Sequence, residues 1–221
     1  MVKNYTFTAT ESSGPVSAIL NQPDSATHLM VLAHGAGAGM EHAFMQAIAE
    51  QLAEQKIATL RFNFAYIESG RKSPDIPNKL TKTIENAVIF AKGLKTGLPI
   101  IAGGKSLGGR MTSTASSKGQ IPDVERIVFF GFPLHAPGRA SSDRAAHLYN
   151  VSQPMLFLQG TRDTLADAGL MEELCKDLGK NATIHFIDDA DHGFHVPKRT
   201  GKTDDEIIVE VVKTVKEWLD Q

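Results

Sequence analysis

Cysteine is almost absent. Cys175 stands alone among 221 residues, which excludes an intrachain disulfide and any zinc or iron–sulfur site built on cysteines, and suggests a reducing compartment. Excess charge is missing too. The 23 Lys+Arg against 25 Asp+Glu leave a formal charge of −2, too little to concentrate nucleic acid or an anionic membrane, so the expected partner is a small molecule. No apolar run approaches the roughly 18 residues that span a bilayer. The opening Met1-Val2-Lys3-Asn4-Tyr5 lacks the basic-then-apolar order of a leader, so a soluble, cytoplasmic protein is expected. No repeat, low-complexity tract or Gly/Ser/Pro linker divides the chain, and one domain over residues 1–221 is expected.

What is present is a globular composition, with 42% hydrophobic and 22% charged residues. Asn4 to Thr10 alternates apolar and polar residues, and Ser12-Ser13-Gly14-Pro15 turns the chain into Val16 to Leu20, which predicts an opening hairpin. From His28 the pattern becomes short continuous apolar runs separated by amphipathic stretches, the mark of strands buried on both faces. These predict six strands, at His28 to Ala33, Ala58 to Phe64, Pro99 to Gly103, Val124 to Phe132, Pro154 to Gln159 and Thr183 to Ile187. Helices are predicted over Glu41 to Gln55, Leu80 to Lys92, Leu107 to Lys118 and Ala166 to Leu178. A last one follows the capping-box pair Thr203 and Glu206. Strands alternating with helices give an α/β class with a mostly parallel central sheet, helices on both faces and the hairpin antiparallel to it. Ala65 to Asn78 and Pro133 to Gln153 are long loops, the kind that more often bind than connect.

The chemistry centres on Gly104-Lys105-Ser106-Leu107-Gly108, a G-x-S-x-G run between a predicted strand and a predicted helix. A serine protruding from such a corner occupies strained backbone. The glycines two before and two after let strand and helix approach, and the helix start favours developing negative charge. Two nucleotide-binding readings fit less well. Gly104-Lys105-Ser106 ends like a phosphate loop, but that loop's first glycine would fall on Pro99. His34-Gly35-Ala36-Gly37-Ala38-Gly39 is one glycine short of a dinucleotide fingerprint, with Met40 in its place. As the turn after the first central strand it instead offers the Ala36 N–H, which with the Leu107 N–H makes a two-donor oxyanion hole.

A serine needs a base, and the base needs a carboxylate to hold it. Asp163 follows the strand ending at Gln159, and His192 follows the strand ending at Ile187, giving the order Ser106, Asp163, His192. His195 shares the loop with His192 and competes less well for the role. The Asp189 to His195 stretch is not read as a metal site, because no further ligand cluster completes it, and no cofactor is expected. Cys175 is expected to face the core. Arg110, in the first turn after the elbow, opposes the helix dipole and requires either a protein carboxylate or an acidic group of the substrate. Arg71, Lys72 and Arg139 in the long loops carry the same two readings.

Over His28 to Leu219 the chain resembles the α/β-hydrolase superfamily. The resemblance rests on His34-Gly-Ala-Gly-Ala, Arg61-Phe-Asn-Phe-Ala-Tyr66, Gly70-Arg-Lys-Ser-Pro-Asp75, Gly104-Lys-Ser-Leu-Gly-Gly-Arg110, Phe132-Pro-Leu-His-Ala-Pro-Gly138 and Asp191-His-Gly-Phe194. It is most similar to the small lidless dienelactone-hydrolase-like group, in a branch that holds bacterial predicted hydrolases, a testis-expressed animal protein and a chromatin-complex subunit. The resemblance implies an α/β-hydrolase fold with little or no lid and Ser106, Asp163 and His192 as catalytic triad. It also places Phe64 to Asp75 and Arg110 in the site region, so that Tyr66, Arg71 and Arg110, together with His34 of the first motif, are the candidate substrate-binding residues. The expected activity is serine hydrolysis of a carboxylic ester or related activated acyl bond in a small soluble substrate. The alternative is a non-catalytic interaction module on a hydrolase scaffold, prompted by the chromatin-complex relative.

Overall fold

The computed structural model describes residues 1–221 and shows eight strands in one sheet. The opening hairpin pairs β1 (Val2–Thr10) antiparallel with β2 (Gly14–Asn21), somewhat longer than the alternation predicts. Strand β2 lies antiparallel to β4 (Ile57–Phe62), and from there the sheet is parallel through β3 (His28–Ala33), β5 (Ile100–Lys105), β6 (Ile127–Phe130), β7 (Met155–Gly160) and β8 (Ala182–Ile187). The order is β1-β2-β4-β3-β5-β6-β7-β8. The predicted run Val124 to Phe132 is shorter as a strand, because the chain turns at Ile121 to Val124 and pairs only from Ile127.

Strand residues alternate between two apolar layers. Leu29, Val31 and Ala33 face α3 (Pro77–Gly93), α4 (Leu107–Ser117) and α5 (Ala168–Leu178), whereas Met30 and Leu32 face α1 (Ala43–Glu54) and α6 (Asp204–Leu219). Continuous apolar runs are what two covered faces require. Helix α6 buries Ile207, Ile208, Val211, Val212, Val215, Trp218 and Leu219, each side chain contributing roughly 1.5–3 kcal/mol by leaving water. Its start carries the expected capping box, Thr203 Oγ1 accepting the Glu206 N–H at 3.2 Å and Glu206 Oε2 accepting the Thr203 N–H at 2.8 Å. Cys175 is buried in the α5 core, as expected of it.

The long loops hold short helices that apolar periodicity did not reveal, α2 (Ala65–Glu68) and a 3-10 segment over Asp143–Asn150. The 3-10 segment packs on α4 through Ala145, Leu148 and a 2.7 Å bond between His147 Nε2 and Ser113 Oγ. There is no lid.

The chain leaves β3 for β4 on one side and returns to β5 on the other, so the crossover direction reverses at the carboxyl ends of β3 and β5. Such a reversal opens the crevice in which α/β sheets bind ligands. Ala33 and Gly104 are in register there.

Candidate active site

Ser106 occupies the corner between β5 and α4 with φ 51° and ψ −116°, left-handed backbone that costs a non-glycine residue on the order of 1–3 kcal/mol. Close packing holds it there. A Cβ on Gly104 would meet the Gly109 nitrogen at 2.5 Å, and one on Gly108 would meet the Ala33 carbonyl oxygen at 2.4 Å, so only glycine lets β5, α4 and β3 converge.

Ser106 Oγ lies 2.8 Å from His192 Nε2, and His192 Nδ1 lies 2.6 Å from Asp163 Oδ2. The Asp163 carboxylate is shut off from solvent, and its oxygens also accept the Gln159 Nε2 donor at 2.5 Å and the Leu165 N–H at 2.8 Å. An ionised carboxylate only accepts, so the His192 proton sits on Nδ1 and Nε2 is free to take the serine proton. His195 points elsewhere. It pairs on the surface with Asp204 at 2.8 Å, and that bond raises its pKa.

The Ala36 N–H has no acceptor within the protein. Leu107 is the first residue of α4, whose first-turn N–H groups lack helical acceptors. A cavity of about 390 Å³ opens at this point, lined by Gly35, Ala36, Lys105, Ser106, Leu165 and His192 among others, with Phe44 and Met45 of α1 closing one side.

A family model described as an alpha/beta hydrolase domain matches residues 26–220. The chain belongs to the α/β-hydrolase family. Solved structures share the fold at low identity. The dienelactone hydrolase of Anabaena variabilis is 18% identical, with TM-score 0.75 over 98% of this chain and 96% of that one. A lidless α/β serine hydrolase of Xanthomonas campestris is 18% identical, with TM-score 0.76 over 98% and 94%. An α/β serine hydrolase homologue of Coxiella burnetii is 15% identical, with TM-score 0.78 over 98% and 97%.

Of the four candidate substrate-binding residues, none lines this hydrolase's cavity. His34 and Tyr66 are wholly buried beneath it. His34 Nε2 accepts the Phe64 N–H at 3.0 Å, and its Nδ1 donates to the Gly35 carbonyl at 2.8 Å. The Tyr66 hydroxyl points to the same carbonyl at 3.5 Å. Both side chains therefore support the Gly35–Ala36 peptide from below, a role the apolar environment imposes, and burial lowers the His34 pKa to about 4 so that the ring stays neutral. Arg71 is turned outward to Asp75 at 2.7 Å. Arg110 has no carboxylate partner. Its Nε is buried and unbonded, and its pKa is lowered by burial and then by Arg144, so of the two partners considered for it a protein carboxylate is not the one present.

Several residues at the site carried no local signal in the sequence. Phe44 and Met45 reach it from the first turn of α1, where Phe44 stacks on Phe194 of the His192 loop with ring centres 5.7 Å apart, and Leu165 reaches it because Asp163 turns the chain there. Gln159 was detectable as a polar residue ending an otherwise apolar buried strand, where it orients Asp163 and accepts the Phe132 N–H at 2.9 Å.

Proposed function

We propose that this α/β-hydrolase is a serine hydrolase that cleaves a carboxylic ester or a similarly activated acyl bond of a small molecule, acting as a single domain over residues 1–221. The observation that carries the reading is the hydrogen-bonded line Asp163–His192–Ser106 ending in an open cavity. His192 Nε2 takes the Ser106 proton as Oγ attacks the acyl carbon. The oxyanion forms between the Ala36 and Leu107 N–H groups, each worth on the order of 3 kcal/mol to the transition state. The imidazolium passes its proton to the leaving oxygen, and water, activated by the same nitrogen, releases the acid from the acyl-enzyme. A cavity of about 390 Å³ without a lid suits short acyl chains. The six motifs quoted above support placing the chain in the branch of bacterial predicted hydrolases related to the testis-expressed and chromatin-complex proteins.

The test is labelling of the pure protein with a fluorophosphonate, which reports an activated serine without knowledge of the substrate. The expected result is labelling that Ser106→Ala and His192→Ala abolish, with turnover of p-nitrophenyl acetate exceeding that of long-chain esters. A folded wild type that does not label overturns the reading in favour of a non-catalytic interaction module.

A further inference from the structure

Lys105 immediately precedes Ser106, and its side chain runs along the wall of the same cavity to an ammonium in desolvated surroundings. Nζ donates to the His192 main-chain carbonyl and lies 5.5 Å from the centre of the Phe44 ring and 5.2 Å from that of Phe194. Gly131 leaves room for it, since a Cβ there would be 2.9 Å from Nζ and 3.5 Å from His192 Nδ1. An ammonium out of water costs several kcal/mol. A methionine would fill the same slot beside the stacked rings of Phe44 and Phe194 without that cost. What the ammonium adds is a donor for His192 and a positive charge toward Asp163.

The loop that carries His192 is shaped from within. Asp191 Oδ1 accepts the Gly193 N–H at 2.7 Å and the His195 N–H at 3.0 Å, and the Phe194 N–H bonds the Asp191 carbonyl at 3.0 Å. Those bonds fix the turn, and the Arg162 N–H on the Ala190 carbonyl at 2.9 Å joins it to the end of β7, but none of them reaches the elbow strand. Lys105 supplies that tie, so two consecutive residues grip one histidine, Lys105 by its backbone and Ser106 by its ring.

We infer that Lys105 is a positioning residue that anchors the His192 main chain to the elbow strand and so sets His192 Nε2 against Ser106 Oγ. The inference rests on the hydrolase reading for its effect on rate. The charged groups facing Nζ are Asp163 from the loop after β7 and Asp191 from the loop after β8, beside the His192 imidazole. Burial lowers the ammonium's pKa to about 8, against the pull of those two carboxylates.

The test compares wild type, Lys105→Met, and Lys105→Cys before and after aminoethylation with 2-bromoethylamine, which rebuilds an amine at that place. The other cysteine, Cys175, is buried with its thiol pKa pushed up to about 12 and stays unmodified. Fluorophosphonate labelling is expected to slow on the order of 10²-fold in Lys105→Met and to recover on aminoethylation, because small displacements of a catalytic group cost about that much. In esterase assays kcat falls with KM little changed. The wild-type rate falls as pH rises through about 8, where the ammonium loses its proton, and Lys105→Met lacks that limb. A folded Lys105→Met that labels at the wild-type rate, or keeps the alkaline limb, overturns the inference, as does failure of both the Met and Cys variants to fold. If wild type itself does not label, the hydrolase reading falls separately. The downfield proton resonance of His192 Nδ1 on Asp163 then decides, with loss in Lys105→Met supporting the anchor and an unchanged signal refuting it.

Discussion

His34 Nδ1 lies 2.8 Å from the Gly35 carbonyl oxygen, so a buried imidazole holds one end of the peptide whose other end is the Ala36 N–H. In a trans peptide the two groups point in opposite directions. Pulling the carbonyl inward toward His34 and Tyr66 therefore turns the N–H outward, to the side on which Ala36 lines the cavity.

Substituting that imidazole should act on rate more than on binding. His34→Phe keeps the aromatic packing against Phe64 but removes both the donor to Gly35 and the acceptor for the Phe64 N–H. The expected loss in kcat is on the order of 10²-fold, the cost of one misplaced oxyanion donor. Steady-state kinetics on a short ester would show it, and a fall confined to KM would contradict it.

His34 also makes the protein acid-labile. Burial moves its pKa from 6.5 to about 4, and burial, then Arg110, does the same to His147. Unfolding takes up protons between those values, so stability is full above about pH 6.5 and falls as pH drops toward 4. Thermal unfolding across that range should show a declining Tm, with a shallower slope in His147→Gln, and a flat wild-type profile would refute the account.

Within the proposed triad the two polar partners of His192 should separate. Ser106→Ala should remove acyl transfer outright. Asp163→Asn offers Nδ1 a donor where it needs an acceptor, so the ring takes the wrong tautomer and kcat drops by about 10⁴-fold with little change in fold. A milder loss in Asp163→Asn, measured beside its fluorophosphonate labelling, would mean that another group orients His192.

The glycines flanking Ser106 should tolerate no side chain. Gly108→Ala places a Cβ 2.4 Å from the Ala33 carbonyl oxygen and 2.6 Å from that of His34, both backbone atoms that cannot swing away. We expect a loss of about 3 kcal/mol or more, or no soluble protein, by denaturant unfolding. Gly119→Ala, with no atom within 4 Å but φ +69°, should cost less.

Much of this was legible in the residues because it depends on local order. Continuous apolar runs betray strands covered on both faces, Thr203 and Glu206 announce the start of α6, and glycines flanking Ser106 announce a corner too tight for a Cβ. The order Ser106, Asp163, His192 follows from which strands end where, and the structure brings those three side chains into one hydrogen-bonded line. Burial and direction were not legible, since they depend on elements distant in the chain. Whether His34 faces a substrate or the underside of its own loop is decided by Phe64 and Tyr66, thirty residues on. Whether Arg110 meets a carboxylate is decided by the 3-10 segment that brings Arg144 to it instead. Lys105 shows the division within a single motif. Its place beside Ser106 is given by the sequence, but its hold on a carbonyl 87 residues away exists only once the sheet sets β5 between its neighbours and carries the β8 loop back over the elbow.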